Sequence, residues 1–311
     1  MAEITKFNLD QKDSISSYYE ENGYVVFRKL VDESKIDRFL KAYKKTVKHP
    51  LFVYYSQSQQ VCMRPKLTSN DYVQESMQNA SHLAFFHDFT KYFNSCIYNE
   101  NVSEALTAIS GYPDHISWQN MFFDRSTGTV EHQDSWYLDT EPADGLVGAW
   151  YALEDINKES GPFFVIPSSH KIGLLDRKDF PEHKDYVDVV KKLISDKGMK
   201  MKPLNVDKGD VIIWSSLLIH GAYSCKDDKY SRKSFTSHFY PKSLVAKDTE
   251  SQKSFSIYNH AHPRATQNPH LFTAFKYNDY IYNLLVYALY MKQKIVSSKN
   301  RIVMRREHYS S

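Results

Sequence analysis

The stretch from Ile116 to Pro241 constrains the fold most strongly. It contains repeated short runs of β-branched and aromatic residues, separated by turn signals such as Ser126-Thr127-Gly128, Ser160-Gly161-Pro162 and Lys208-Gly209-Asp210. Many short strands joined by such turns are typical of an antiparallel barrel made of two sheets. We therefore expect a mainly β fold with flanking helices, of the α+β class, around a jelly-roll core.

The rest of the chain predicts one domain with helical ends. Its 311 residues and 41% apolar content can fill a sizeable core, and we find no repeat, low-complexity tract or linker that requires a second domain. A charged stretch at about 178–199 has helical spacing and predicts an inserted helix or lid. We expect three parts: a helical N-terminal part at about 1–110, the jelly-roll core at about 111–245, and a helical C-terminal extension at about 246–311. Within the first part, helices are expected at 11–22 and 33–48, on either side of a strand at 23–27.

Charge and cysteine content exclude several classes of protein. Lys and Arg total 40 against 37 for Asp and Glu, so a net charge of +3 gives no electrostatic footprint for nucleic acid. Cys62, Cys96 and Cys225 are odd in number and far apart, which favours free thiols and a cytoplasmic location. The apolar run from Tyr280 to Met291 is shorter than a membrane span, and the start has no signal-peptide pattern. We expect a small-molecule substrate.

A metal-ligand pattern lies within the strand-rich region. His132 and Asp134 are two residues apart, so if 130–136 is a strand, both side chains lie on one face of it. The apolar segment 211–219 predicts a core strand that ends at His220. Two imidazoles and one carboxylate are the ligands of non-haem iron(II) sites that keep open positions.

A cation follows the second histidine. The segment 232–240 alternates, with polar side chains on one face: Arg232, Ser234, Thr236 and His238. A polar face on a barrel strand indicates a wet or liganded interior. Arg232 could hold the far carboxylate of a 2-oxo acid in two-point geometry, because its guanidinium presents a planar fork of donors.

Each signal also has a structural interpretation. His132 and Asp134 could form a hydrogen-bonded pair at a strand end, His220 could be a core histidine, and Arg232 could form a surface ion pair. His183-Lys184-Asp185 repeats the H-x-D pattern, but its helical spacing predicts a solvated face. The order of all four residues on credible strands favours the metal site.

These residues also carry a resemblance to a known family. The chain resembles the phytanoyl-CoA dioxygenase family of iron(II)- and 2-oxoglutarate-dependent oxygenases over about two thirds of its length. The matching motifs are Asn22-Gly23-Tyr24-Val25-Val26, His132-Gln133-Asp134-Ser135-Trp136-Tyr137, Trp150-Tyr151-Ala152-Leu153-Glu154-Asp155, Ser160-Gly161-Pro162 through Lys171, Lys208-Gly209-Asp210-Val211, His220-Gly221 and Arg232-Lys233.

The resemblance implies a double-stranded β-helix, with His132, Asp134 and His220 as Fe(II) ligands and Arg232 on the distal carboxylate of 2-oxoglutarate. Gln119 resembles a residue that contacts this co-substrate in some members. Because related halogenases carry a small residue at the carboxylate position, Asp134 favours hydroxylation.

Two positions depart from the family pattern. Ser168 stands where a Pro-Gly-Ser-His turn commonly has Gly, and Ala222 stands where many members carry Ser. The resemblance therefore implies one lost hydrogen bond to 2-oxoglutarate, for which Ser234 is the candidate substitute.

The leading hypothesis is a dioxygenase that uses O2 and 2-oxoglutarate to hydroxylate a small or medium-sized molecule, releasing succinate and CO2. One alternative is a non-catalytic metal- and 2-oxoglutarate-binding barrel that acts as a sensor or scaffold. Another is a zinc or manganese hydrolase or isomerase, against which Arg232 argues. Loops at 50–80, 137–145 and 170–200 are expected to set specificity.

Other residues have less specific roles. Trp136 and Tyr137 are candidate substrate residues, although Trp136 could equally be a core aromatic. His170 is expected to fix a turn, and His238 to form buried hydrogen bonds. The stripe Ile281, Leu284, Leu285 and Leu289 is expected to pack on the barrel or on a second subunit of a homodimer rather than on a membrane. The basic tail after it, from Lys292 to Arg306, is expected to be a solvated helix end.

Overall fold

The computed structural model describes residues 4–248 and 257–308. The helices of this part are α1 (Lys12–Asn22), α2 (Glu33–Thr46), α3 (His87–Ile97), α4 (Glu100–Ser110), α5 (His183–Asp196) and α6 (Asp279–His308). Its strands are β1 (Tyr24–Phe27), β2 (Tyr54–Ser56), β3 (Val61–Met63), β4 (Met77–Gln78), β5 (His115–Phe123), β6 (Thr127–His132), β7 (Leu138–Glu141), β8 (Val147–Ala152), β9 (Phe163–Val165), β10 (Lys202–Pro203), β11 (Val211–Ser215), β12 (His220–Ser224), β13 (Ser234–Pro241), β14 (Val245–Asp248), β15 (Arg264–Ala265) and β16 (Leu271–Thr273).

Two antiparallel sheets form the core, as the sequence predicts. The larger sheet has the strand order β1-β11-β8-β13-β5-β4-β2-β3, and β16 and β15 join it through β5. The smaller sheet has the order β10-β9-β12-β6. Aromatic side chains from both sheets pack between them, among them Trp150, Phe163 and Trp214. This is the jelly-roll arrangement, in which two sheets pack face to face over an apolar layer.

Helices α2, α3 and α4 cover the outer face of the larger sheet. Asp32 caps α2 by accepting a hydrogen bond from the Ser34 amide at 2.6 Å, which satisfies one of the free amides of the first turn. The stripe that α2 buries includes Phe39, whose ring lies 4.7 Å from that of Phe235 in β13. Helix packing thereby fixes β13, which follows directly after Arg232.

The predicted strand at 23–27 is present as β1, which pairs with β11 along its whole length, with Tyr24 opposite Trp214. The flanking parts also contain strands that the sequence does not indicate, among them β4, which pairs with β5. After the core, β16 pairs in parallel with β5. These additions were missed because β2, β3, β4, β15 and β16 have only two or three residues each, too few to show a period of two.

The predicted insertion is helix α5. Its buried residues Tyr186 and Val190 pack with Trp136, Ile166 and Ile219, so the helix covers one end of the smaller sheet. Among the residues that the structure describes, no helix combines the length and hydropathy needed to cross a lipid bilayer.

Candidate metal centre

The three predicted ligands come together at one end of the smaller sheet. His132 is the last residue of β6 and His220 is the first residue of β12, and the two face each other across the strand pair. Asp134 begins a single turn of 3-10 helix, Asp134–Trp136. One ligand atom from each of these residues lies within 4.8 Å of the others.

The backbone reaches this arrangement differently from the sequence prediction. The predicted strand 130–136 ends at His132, because the buried Gln133 leaves the ladder: its side-chain amide donates to the carbonyl oxygens of Gly173 and Leu217 at 2.9 and 2.7 Å. A turn, and not strand alternation, therefore brings Asp134 beside His132. The predicted strand 211–219 is also wrong in its extent, because β11 ends at Ser215 and His220 starts the next strand after a turn.

Hydrogen bonds orient both imidazoles. Nδ1 of His132 lies 2.8 Å from the carbonyl oxygen of Val130, and Nδ1 of His220 lies 2.9 Å from that of Leu218. A carbonyl only accepts, so Nδ1 carries the proton and donates in each ring. In the neutral ring Nε2 is then the lone-pair atom, and it faces Asp134 Oδ1 at 3.4 Å from His132 and 3.6 Å from His220.

Asp134 is held as an anion. Its second oxygen, Oδ2, accepts a hydrogen bond from the indole of Trp214 at 2.9 Å and lies 3.3 Å from Nε2 of His238. Burial disfavours the charged form, but the neighbouring side chains of His220, His238 and His132 hold the pKa of Asp134 well below its usual range. Burial lowers the pKa of His220 to about 3, which keeps this imidazole neutral.

Arg232 is a buried cation in the same cavity. Its side chain is 3% exposed and lies between two aromatic rings, 5.4 Å from the centre of Phe123 and 5.5 Å from that of Trp150. Its Nε has no hydrogen-bond partner, and no carboxylate of the described residues lies within 4.0 Å of the guanidinium. Burial lowers the pKa of Arg232 to about 10 despite the attraction of Glu154, so the guanidinium remains charged at neutral pH without a carboxylate of the described residues in direct contact.

Ser234 and Gln119 occupy different positions relative to the cavity. Ser234 is fully buried two residues after Arg232, and its Oγ has no hydrogen-bond partner. It lies outside the lining of the cavity as the described residues define it, whereas Gln119 is part of that lining. The side-chain oxygen of Gln119 accepts from the Gln78 amide at 3.0 Å.

The cavity around the cluster has a volume of about 730 Å³. Tyr137 lines it and makes a 2.8 Å hydrogen bond with His183, at the start of α5. The structure places Trp136 outside the cavity, where its ring stacks on Tyr186 at 4.7 Å and its indole donates to the carbonyl oxygen of Phe180 at 2.9 Å. Trp136 therefore anchors α5 to the smaller sheet.

Two other predictions about histidines are confirmed. His183, Lys184 and Asp185 are exposed on α5, and His183 and Asp185 are not part of the ligand cluster, although His183 also lines the cavity. His170 fixes a turn, with Nε2 3.0 Å from the carbonyl oxygen of Glu20. In the same turn Ser168 has φ 63°, the left-handed conformation for which Gly is better suited, and its Oγ donates to the carbonyl oxygen of Glu21 at 2.8 Å.

Sequence reasoning missed several residues of the site. It gave Trp214 no role and gave His238 no partner, although both contact Asp134. The alternation in 232–240 already placed His238 on the polar face, whereas no local signal marks Trp214. Side chains after residue 256 also line the cavity, namely Ile257, Tyr258, Tyr277, Tyr282, Leu285, Val286 and Leu289.

The fold and the cluster define a jelly-roll protein with a facial two-histidine, one-carboxylate site. The sequence profile described as Phytanoyl-CoA dioxygenase (PhyH) matches residues 19–234. The chain belongs to this dioxygenase family.

The relatives agree with this assignment. The peroxisomal phytanoyl-CoA dioxygenase of Bos taurus is 28% identical over 235 residues, which are 71% of this chain and 66% of the bovine protein. The match thus covers slightly less than two thirds of that relative.

Solved structures confirm the predicted fold. The non-haem alpha-ketoglutarate-dependent carbocyclase SnoK from nogalamycin biosynthesis has a TM-score of 0.57 at 18% identity, covering 80% of this chain and 92% of SnoK. The epimerase SnoN, solved with Fe3+, alpha-ketoglutarate and nogalamycin RO, has a TM-score of 0.59 at 13% identity, covering 85% of this chain and 98% of SnoN.

Proposed function

We propose that this chain is an Fe(II)- and 2-oxoglutarate-dependent dioxygenase that hydroxylates a C–H bond of a small or medium-sized organic substrate. The observation that carries the proposal is that one cavity contains both a His–Asp–His cluster and a buried arginine without a counter-ion. A metal and a dicarboxylate co-substrate would use these two features together.

The donor set fits iron(II). Two neutral imidazole nitrogens and one carboxylate oxygen are the ligands of non-haem iron oxygenases that keep open positions for oxygen and a co-substrate. His132, Asp134 and His220 would hold the metal. The carbonyl groups of Val130 and Leu218 support this role, because they fix the tautomer that leaves Nε2 available.

The other polar groups fit 2-oxoglutarate. Arg232 would hold the distal carboxylate through its planar fork of donors, and the charge of the ligand would compensate the buried cation. The unpartnered Oγ of Ser234 and the cavity-facing Gln119 are the further candidates for contacts. When bound, iron and 2-oxoglutarate supply the coupled oxidation of a C–H bond by O2, with release of succinate and CO2.

The protein side chains position the reactants. Trp214 and His238 hold Oδ2 of Asp134, so that Oδ1 faces the two imidazoles. Asp134 occupies the carboxylate position, which favours hydroxylation. No side chain of the site is assigned as an acid or base in the central step, so the ligands and their supporting contacts are the catalytic apparatus.

The cavity lining favours an uncharged substrate. Away from the cluster, the lining is made of amide, phenol and apolar side chains, among them Gln57, Gln60, Gln78, Tyr258 and Leu289. Apart from histidines, Arg232 is the cation of this lining as far as the described residues define it, and the co-substrate would use it. A volume of about 730 Å³ also lies within the range of about 300–1,000 Å³ of small-molecule sites.

Anaerobic absorption spectroscopy tests the proposed site. Adding Fe(II) and then 2-oxoglutarate to the protein should produce a visible metal-to-ligand charge-transfer band that His132→Ala abolishes. His183→Ala is the matched control, because it removes the histidine of the second H-x-D pattern and should leave the band in place. A band that survives His132→Ala would show that the assigned ligands are wrong.

Two further proposals concern the cellular compartment and the oligomeric state. The described cysteines form no disulfide, which supports a reducing compartment such as the cytoplasm, although the bovine relative is named as peroxisomal. A homodimer through α6 stays a prediction.

A further inference from the structure

Helix α6 turns its apolar side outward. Ile281 and Leu284 are 52% and 59% exposed, although the sequence stripe to which they belong was expected to pack on the barrel or on a second subunit. Within residues 279–296, whose side chains the structure describes, the large exposed apolar side chains are Tyr280, Ile281, Leu284, Leu285, Tyr287, Leu289, Met291, Ile295 and Val296. So many exposed apolar side chains on one helix mark a binding face.

Polar contacts fix this orientation. Asn283 is buried, donates to the carbonyl oxygen of His82 at 2.7 Å and accepts from the amide of Phe85 at 3.1 Å. Asp279 pairs with Arg264 at 2.8 Å. The inner side of α6 thus combines the hydrogen-bonded Asn283 with the buried Tyr282 and Val286, which join the apolar core. These contacts hold the first turns of α6 with Ile281 and Leu284 facing solvent.

Charge is divided along the helix. Residues 279–291 contain no Lys or Arg, whereas residues 292–308 contain Lys292, Lys294, Lys299, Arg301, Arg305 and Arg306. The acidic residues of α6 are Asp279 at its start and Glu307 near its end. An apolar half followed by a basic half fits a surface that offers acyl chains and negative headgroups side by side.

The apolar face is continuous with the candidate active-site cavity. Leu285 and Leu289 are exposed and also line the cavity, together with the buried Tyr282 and Val286. A compound that leaves a lipid phase at α6 would therefore pass these side chains on its way to the metal cluster.

We propose that α6 binds the surface of an anionic lipid bilayer and that the substrate enters the cavity from that surface. The apolar half lies at the boundary of headgroups and acyl chains, and the exposed side chains of Lys292 and Lys294 bind the headgroups. The entry route rests on the proposed function, whereas binding to lipid does not.

A second copy of the chain fits this face less well. In a parallel pair of α6 helices, the two basic halves would repel each other, because like charges would be placed together. In an antiparallel pair, the apolar half of one helix would meet the basic half of the other. An anionic bilayer complements both halves at once.

Vesicle flotation with the full chain tests the proposal. The protein should float with phosphatidylcholine vesicles that contain one third phosphatidylserine, and should bind less at high salt and to phosphatidylcholine alone. Ile281→Glu/Leu284→Glu and Lys292→Glu/Lys294→Glu should each weaken binding at least about tenfold. Leu51→Glu is the matched control, since Leu51 is 58% exposed and lies outside α6, and it should bind as the unaltered protein does.

Two results would overturn the proposal. One is the absence of binding to anionic vesicles by protein that retains its circular dichroism. The other is a dimer in solution that Ile281→Glu/Leu284→Glu dissociates while vesicle binding is unchanged. The charge-transfer band with Fe(II) and 2-oxoglutarate should be measured on the same preparations. If the band forms while lipid binding fails, the lipid proposal is wrong and the proposed metal site is not.

Discussion

The indole of Trp214 donates a hydrogen bond of 2.9 Å to Oδ2 of Asp134, a residue 80 positions earlier in the chain. The other oxygen, Oδ1, faces the imidazoles of His132 and His220. The two oxygens of one carboxylate therefore have separate roles, one structural and one directed at the metal position. Trp214 belongs to β11 of the larger sheet, so this bond couples that sheet to the ligands at the end of the smaller sheet.

Replacing Trp214 with Phe should weaken iron binding. The ring is kept while Oδ2 loses its N–H donor, and the loss of such a supporting contact typically lowers metal affinity by about 10- to 100-fold. Titration with Fe(II) under anaerobic conditions measures the effect. Trp118→Phe is the control, because Trp118 lines the cavity and does not contact Asp134. Equal affinities for Trp214→Phe and the unaltered protein would show that the bond does not support the metal.

Replacing Arg232 with Met should have opposite effects on stability and on co-substrate binding. The unliganded protein should become more stable, by about 1–4 kcal/mol, because a buried cation without a counter-ion is replaced by an apolar side chain. Stabilisation by added 2-oxoglutarate should disappear. Thermal unfolding with and without the ligand measures both effects. Arg125→Met removes an ion pair with Asp228 and should change stability by less than about 1 kcal/mol. A destabilised Arg232→Met protein that still responds to 2-oxoglutarate would contradict the assignment.

Ser234 can be tested as the substitute for the serine that the family carries at position 222. Ser234→Ala should raise the KM for 2-oxoglutarate by about tenfold or more, since one hydrogen bond to a charged group is worth about 1.5–3 kcal/mol. It should not destabilise the unliganded protein, because Oγ has no partner there. Adding Ala222→Ser should restore part of the affinity. An unchanged KM in Ser234→Ala would remove Ser234 from the co-substrate site.

His115 should make stability depend on pH. Burial lowers its pKa to about 4, against an ordinary value of 6.5. Between these values the unfolded chain binds a proton that the folded protein does not, so stability is complete above pH 6.5 and falls as the pH drops towards 4. The loss attributable to His115 between pH 7 and pH 5 is about 2 kcal/mol.

Urea unfolding of His115→Gln at these two pH values measures this contribution. The variant should lose about 2 kcal/mol less than the unaltered protein on acidification. His262→Gln, which replaces an exposed histidine, is the control and should follow the unaltered protein. Parallel pH dependence in His115→Gln and the unaltered protein would contradict the role of His115.

Local sequence patterns predicted helices, turns and the class of fold. The helix expected at 33–48 is present as α2, and the turn signals predicted a two-sheet barrel. The spacing of the H-x-D pattern identified the right residues through an incorrect backbone, because only the fold shows that Gln133 is held in the core. Contacts across strands, such as that between Trp214 and Asp134, depend on strand order, which local periodicity does not encode.

The orientation of α6 in the C-terminal extension also depends on contacts between distant residues. Its apolar stripe was assigned to packing on the barrel or a second subunit because most amphipathic helices bury such a face. Asn283 instead anchors the helix through hydrogen bonds to residues 82 and 85, about 200 positions away. The sequence could not reveal that partner, and therefore it could not reveal which side of α6 faces solvent or that Leu285 lines the cavity.

The most direct test of the account is the formation of succinate. The protein should be incubated with Fe(II), 2-oxoglutarate, O2 and a panel of uncharged compounds, and succinate should be quantified in parallel with His132→Ala and His262→Ala, which replaces an exposed histidine outside the cavity lining. We expect a compound in the panel to stimulate succinate release that requires all three reagents, persists in His262→Ala and is lost in His132→Ala. Tight binding of 2-oxoglutarate without succinate for any compound would favour a sensor, and product formation without 2-oxoglutarate would favour a hydrolase or isomerase; either result would contradict the dioxygenase.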